Sequence, residues 1–185
     1  MKQLLPLLAA LLLTACAAQR PATQVEAPIA SAHYLLISKQ QMRLSVVDSC
    51  GVVVARFPIA CGENYGDKQR EGDRKTPEGL FWVEEILETT AWEYDYGDGK
   101  GRQTGAYGPY FIRLHTPPHT GIGIHGTRLD HSIGKRASAG CVRMHNDDLR
   151  RLVPAVYVGM PVFVTPSEGD DIQNLEFKIQ NSKLE

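Results

Sequence analysis

Residues 121–145 read GIGIHGTRLDHSIGKRASAGCVRMH. The apolar run that ends on His125 predicts a short strand delivering an imidazole at its tip. Ser138-Ala139-Gly140 is a turn of small residues that leaves Cys141 uncrowded, because glycine tolerates backbone angles closed to other residues. A cysteine nucleophile needs a nearby base to form its thiolate. A histidine on one element and a cysteine on the next meet that need. The chemistry this predicts is attack of Cys141 on a carbonyl. His125 takes the thiol proton and later returns it to the leaving group, which calls for a near-neutral pKa. Backbone N–H groups around Gly140 and Cys141, in the turn opened by Ser138, are placed to meet the oxyanion. Arg143 has two readings. It forms a bidentate fork for a substrate carboxylate, or it braces the cysteine loop by bonding backbone carbonyls.

These residues resemble the signature of the L,D-transpeptidase catalytic domain, the YkuD-like family. That signature is His-Gly, a spacer, then Ser-x-Gly-Cys-x-Arg, matched here by His125-Gly126 and Ser138-Ala139-Gly140-Cys141-Val142-Arg143. Gly72-Asp73, Thr76-Pro77-Glu78-Gly79 and Tyr107-Gly108-Pro109 extend the likeness to about residues 33–165. Ala139 stands where many members carry a second histidine. The resemblance implies a mostly β fold, a sandwich or barrel of mixed strands with one or two short helices. It implies Cys141 and His125 as the catalytic pair, with the second ring nitrogen of His125 held by a backbone carbonyl close after it, from Gly126 or Thr127. Tyr107 and Arg143 fall on the substrate side. The implied partner is a peptidoglycan tetrapeptide stem, attacked at its third residue with loss of the terminal D-alanine. The resulting thioester is resolved by an amine of a second stem. No cofactor or metal is implied, and carbapenem-type inhibitors are expected to acylate Cys141. An L,D-carboxypeptidase, or an enzyme acting on protein–peptidoglycan links, would use the same Cys–His pair. A non-catalytic peptidoglycan-binding lipoprotein is the remaining alternative, and a binding module has no use for a thiolate with its base.

Upstream, Met1-Lys2 and the apolar run Leu4 to Leu13 have signal-peptide form and are too short to span a bilayer. Leu13-Thr14-Ala15-Cys16 resembles a bacterial lipoprotein processing box. Residues 1–15 are therefore expected to be a signal peptide and Cys16 the lipidated N-terminus, since several acyl chains on one residue make a stable anchor. Residues 16–32, rich in Ala and Pro, form a tether, and the polar residues 166–185 a tail. Ala17 follows the cysteine where aspartate would favour inner-membrane retention, so the expected place is the outer membrane, facing the periplasm. A formal net charge of −1 gives no sign of a nucleic-acid partner.

Within the domain, His33 to Ser38 and Met42 to Val47 predict a hairpin, with Met42, Leu44 and Val46 on one buried face. Val52 to Ala60 predicts the next strand, with Arg56 opposite Val53, Ala55, Phe57 and Ile59. If that segment is extended, Cys50 and Cys61 lie roughly 35 Å apart. A disulfide needs about 7 Å, so both are expected as partly buried thiols. Residues 62–75 read as a loop leading into an architectural turn, Thr76 to Gly79. Trp92, Tyr94 and Tyr96 alternate beside a glycine-rich tip. They cover a core edge or wall a substrate cleft, and the tip would then be a flap. Five of the six histidines fall between 115 and 145, but their spacings match no standard zinc motif. Asn146 predicts a helix cap, Pro154 a helix stop near Val153, and Val156 to Val164 the closing strands.

Overall fold

The computed structural model describes residues 32–167. The expected signal peptide, the expected lipidation site Cys16, the expected tether through Ser31 and the tail beyond Ser167 lie outside the described residues. The strands are β1 (Ala32–Ser38), β2 (Arg43–Asp48), β3 (Val53–Gly62), β4 (Gly79–Glu88), β5 (Glu93–Asp95), β6 (Arg102–Thr104), β7 (Tyr110–His115), β8 (Gly123–His125), β9 (Arg136–Ser138), β10 (Val142–Met144) and β11 (Pro161–Thr165). One α-helix, α1 (Asn146–Leu152), follows β10. The main sheet runs β10-β8-β7-β4-β11-β1-β2-β3-β9, and β10 also pairs with β3. That extra pairing closes eight strands into a barrel, with β9 appended to β3. The β1–β11, β8–β10 and β3–β9 pairs are parallel. The expected mostly β barrel of mixed strands is therefore what the chain forms.

The barrel interior is filled by alternate residues of successive strands, among them Leu35, Leu44, Ile59, Ile112, Ile124 and Val142, each fully buried. Leu149 and Leu152 of α1 join the same core. The β1–β2 hairpin forms as expected. The single buried face of β2 does not hold, because Ser45 and Val47 are buried as well. A bulge between Val46 and Val47 breaks the alternation against β3. Ser45 is a small side chain lying between the longer cross-strand partners Leu36 and Arg56. Cys50 and Cys61 form no disulfide with each other, as expected, but Cys50 is exposed in the turn and Cys61 wholly buried. Pro154 falls inside a 3-10 turn, Val153–Ala155, that continues α1. Among the described residues only β11 follows; residues 156–160 are not strand, and Val156 and Met160 pack as a loop against the core.

The loop of residues 62–78 is held by buried polar groups. The Lys39 ammonium, just beyond β1, pairs with the Glu78 carboxylate and donates to the Gly66 carbonyl at 3.0 Å. Their side chains are 0% and 3% exposed. Lys68 pairs with Asp73 at 2.8 Å. Burial alone would raise the Asp73 pKa, but the Lys68 ammonium and the N–H groups of Gln69, Arg70 and Lys75 hold it well below the usual carboxylate range. Thr76 accepts from the Gly62 N–H and donates to the Gly140 carbonyl, both at 2.8 Å. The loop thus reaches from the β1–β2 hairpin to the turn before Cys141.

Lys39→Met strips the ammonium from a buried carboxylate, so it should lower unfolding free energy by about 3–5 kcal/mol. The double variant Lys39→Met/Glu78→Met should recover much of that loss, because an apolar pair of similar volume replaces a desolvated ion pair at little net cost. Urea unfolding of the single and double variants checks this. A double variant no more stable than Lys39→Met would mean the pair is not what holds the loop.

Candidate active site

Strand register assembles the site. Arg143 of β10 lies opposite His125 of the parallel strand β8. Side chains alternate along a strand, so Cys141, two residues before Arg143, faces the same side as both. Val142, Met144 and Ile124 point the other way and are fully buried in the barrel. His125 and Cys141 therefore face the same, outer side of the wall. A cleft of about 670 Å³ opens there, lined by Tyr107, His125, Ser138, Cys141 and Arg143 together with aromatic side chains.

His125 is 5% exposed. Phe111, its partner on β7, stacks on the imidazole at 5.6 Å with a 10° interplanar angle. The Tyr107 ring lies 5.1 Å away on another side. The imidazole Nδ1–H donates to the Gly126 carbonyl at 2.6 Å. Of the two acceptors that the resemblance implied, Gly126 is the one in place. Burial lowers the His125 pKa to about 4, helped by the positive Arg143 and opposed by the Gly126 carbonyl. The near-neutral value expected from the sequence is corrected downward, because the ring is enclosed by aromatic walls.

The Cys141 Sγ–H donates to the Gly121 carbonyl at 3.4 Å. Burial pushes the thiol pKa up, while the Gly123 amide and the cations of Arg143, Lys68 and Arg113 pull against that rise. Both shifts favour the neutral form of their group at neutral pH. Ser138 Oγ donates to the Cys141 carbonyl at 2.5 Å and accepts from the Gly140 N–H at 3.1 Å. The Gly140 amide, expected to face an oxyanion, is turned onto Ser138. Gly140 has φ +139°, and a Cβ there would come within 2.9 Å of the Lys75 carbonyl oxygen. Only glycine fits that turn without displacing the loop behind it.

Arg143 donates to the Ala137 carbonyl at 3.1 Å, the bracing geometry, while also lining the cleft. The pairs β5–β6 and the segment around them answer the question about the aromatics: Trp92, Tyr94 and Tyr96 all line the cleft. Trp92 packs against Tyr107 at 5.5 Å and Phe111 at 5.8 Å. Burial raises the Tyr107 phenol above its usual value, so its hydroxyl keeps its proton across neutral pH. Among the described residues no group of three or more His, Cys, Asp or Glu side chains is placed to hold a metal.

Sequence reasoning missed Phe111, Lys68 and Arg113 as cleft residues, since nothing local marks them. Thr76, expected as part of an architectural turn, also ties the cysteine turn to β3 through its hydroxyl. Asn146 is not the helix cap that the sequence predicts. The helix N-cap is His145, no side chain caps that end, and Asn146 Oδ1 instead accepts from the Thr127 N–H at 3.0 Å.

The lowered His125 pKa makes a stability prediction with a definite sign. An unfolded histidine titrates near 6.5 and the folded one at about 4. Between those values the unfolded chain takes up the proton, so stability is full above about pH 6.5 and falls as pH falls toward 4. Across the window the stability advantage of the wild type over His125→Gln should shrink by roughly 3 kcal/mol. Urea unfolding of both proteins at several pH values checks this, and a pH-independent difference would contradict the enclosure of the ring.

Comparison with known proteins places this geometry. A model of the L,D-transpeptidase catalytic domain, YkuD, matches residues 32–164. The putative L,D-transpeptidase YqjB of Bacillus subtilis is 30% identical over 153 residues, 82% of this chain and 79% of that protein. The catalytic domain of an Enterococcus faecium L,D-transpeptidase superposes with a TM-score of 0.53 at 21% identity, covering 73% of this chain and 98% of that one. L,D-transpeptidase 3 from Mycobacterium tuberculosis, in complex with a faropenem-derived adduct, gives a TM-score of 0.55 at 20% identity, covering 75% of this chain and 61% of that one. With the family model spanning nearly all of the described barrel, the chain belongs to the YkuD family of L,D-transpeptidase catalytic domains.

Proposed function

We propose that the protein is a peptidoglycan L,D-transpeptidase working through a Cys141 thioester. The observation that carries this reading is the shared outer face of β8 and β10, which turns His125, with Nδ1 held by Gly126, and Cys141 into one aromatic cleft. Nδ1 carries a proton and donates it to a carbonyl, so Nε2 holds the lone pair that accepts the thiol proton. The thiolate attacks the carbonyl of the third stem residue. The oxyanion forms against the amide of Cys141, the Gly140 amide being engaged by Ser138. The imidazolium gives its proton to the departing amine, D-alanine leaves, and a thioester remains. An acceptor amine then loses a proton to His125, attacks the thioester and frees the Cys141 sulfur. Arg143 holds the cysteine loop and turns the rest of its guanidinium, with Tyr107, toward the stem.

The polymer it acts on lies outside the cytoplasm, and the Leu13–Cys16 box supports export with lipidation at Cys16. The proposed place is the cell envelope, anchored by lipid, facing the periplasm, with the outer membrane favoured by Ala17. The faropenem-derived adduct on the Mycobacterium tuberculosis relative supports acylation of Cys141 by β-lactams, the wider class to which carbapenem-type inhibitors belong.

Purified disaccharide-tetrapeptide incubated with the protein should give, by mass spectrometry, a dimer lacking one D-alanine. Cys141→Ala should give none, and a carbapenem should add its mass to the wild type and not to this variant. Tripeptide without dimer would move the assignment to carboxypeptidase, and unchanged substrate with folded wild type would overturn the proposal.

A further inference from the structure

We infer that Asn146 is a positioning residue for His125, acting through the single peptide group between Gly126 and Thr127. The inference rests on the reading of Cys141 and His125 as the reactive pair. The carbonyl of that peptide group accepts from His125 Nδ1 at 2.6 Å. The N–H of the same group, on Thr127, donates to Asn146 Oδ1 at 3.0 Å. A peptide group is planar and rigid, so fixing its N–H end fixes where its oxygen points. Asn146 therefore sets the acceptor that orients the imidazole, although it does not touch the ring itself. An N–H facing the side-chain amide requires an acceptor, so the oxygen of Asn146 and not its nitrogen occupies this place.

The surroundings are shaped for that oxygen. Gly108 and Gly126 meet it with bare backbone, and a Cβ on either would overlap Asn146 Oδ1. Gly108 is itself fixed, with φ +67° and its carbonyl accepting from Thr89 Oγ1 at 2.9 Å. An asparagine at a helix start ordinarily caps its own helix. Here α1 has no side-chain cap bond, and the acceptor is directed across to the loop after β8. A local preference set aside in this way marks a constraint imposed from elsewhere, and functional sites are where such departures are expected. The constraint here is the orientation of His125.

The consequence is chemical. A hydrogen bond at the N–H end of a peptide polarises the group and makes its oxygen a better acceptor. The proton on Nδ1 is held more firmly, Nε2 stays available for the thiol proton, and the imidazolium formed in the reaction is stabilised. In a Ser-His-Asp triad a carboxylate does this work directly. Here a neutral peptide does it, with Asn146 behind it.

The test uses the full chain and two variants, Asn146→Ala and Asn146→Asp, with ring-nitrogen-labelled histidine. His125 is assigned by loss of its signal in His125→Gln. Wild type should show one tautomer at His125, protonated at Nδ1. Asn146→Ala should show a mixture, with kcat for the disaccharide-tetrapeptide down roughly 100-fold and KM little changed. Asn146→Asp keeps an oxygen acceptor and should restore the single tautomer and most of the rate. A folded Asn146→Ala with the wild-type tautomer and kcat would overturn the inference, as would an Asp variant that behaves like Ala. Should Ala fail to fold, Asn146→Gln, one methylene too long for the notch between the two glycines, takes its place with the same two outcomes. The tautomer measurement needs no peptidoglycan. An inactive wild type whose tautomer depends on Asn146 would therefore remove the transpeptidase reading and leave this one standing.

Discussion

The parallel pairing of β8 with β10 is the constraint on which the site depends. Ile124 opposite Val142 and His125 opposite Arg143 set the register, and burial enforces it. Val142, Met144 and Ile124 are fully buried in the barrel. A slip of one residue would turn them into the cleft and drive Cys141 and Arg143 into the core, because the side-chain period of a strand is two. On its other side β10 pairs with β3, Arg143 opposite Ala60 and Met144 opposite Ile59. The strand that follows the cysteine is therefore clamped from both edges. The apolar interior specifies the geometry of a polar site on the opposite face of the same wall.

Register places Cys141 but does not hold the turn before it. Beyond Ser138 of β9, which pairs with Gly62 of β3, that turn lies outside the ladder and is carried by a chain of buried polar contacts. Lys39 faces Glu78, Glu78 accompanies Thr76 in one short segment, and Thr76 bonds the carbonyl of Gly140. Ser138 and Arg143 close the turn from its own side through the Cys141 and Ala137 carbonyls. Each buried polar group is costly to leave unmatched, so a network of this kind is rigid when complete and fragile when one member is lost. Gly140 is the point where it reaches the site, since its backbone packs against Lys75 with no room for a side chain.

The parts legible in the sequence were those set by local pattern. The strand ending on His125, the small turn before Cys141, the first hairpin and the loop of residues 62–75 all follow from alternation, glycine placement or composition. What could not be read there depends on contacts between distant segments. Trp92 faces the cleft against Phe111 and Tyr107, Tyr94 packs on Tyr107 and Tyr96 on Tyr94, and those partners are not implied by their own spacing. The burial of Val47 came from a bulge, which alternation cannot show. Asn146 is the clearest case. Its position beside two aspartates suits a helix cap, and only the closure of the barrel brings Thr127 and the notch between Gly108 and Gly126 against its side chain.

Electrostatics set how the proposed reaction begins. Many cysteine nucleophiles are stored as thiolates, with pKa values lowered by neighbouring cations. Here burial opposes that in both partners: the imidazole is held near 4 and the thiol is pushed up. Arg143 favours the thiolate but disfavours the imidazolium, so it does not by itself stabilise the charged pair. Separating the charges is therefore uphill. The negative charge finds a better place only when a carbonyl carbon is in reach, because attack moves it from sulfur to oxygen. Proton transfer to His125 and attack by Cys141 are then most easily made together. A neutral peptide acceptor behind the imidazole fits such a mechanism, since it steadies a charge that exists briefly without drawing the proton from the thiol beforehand.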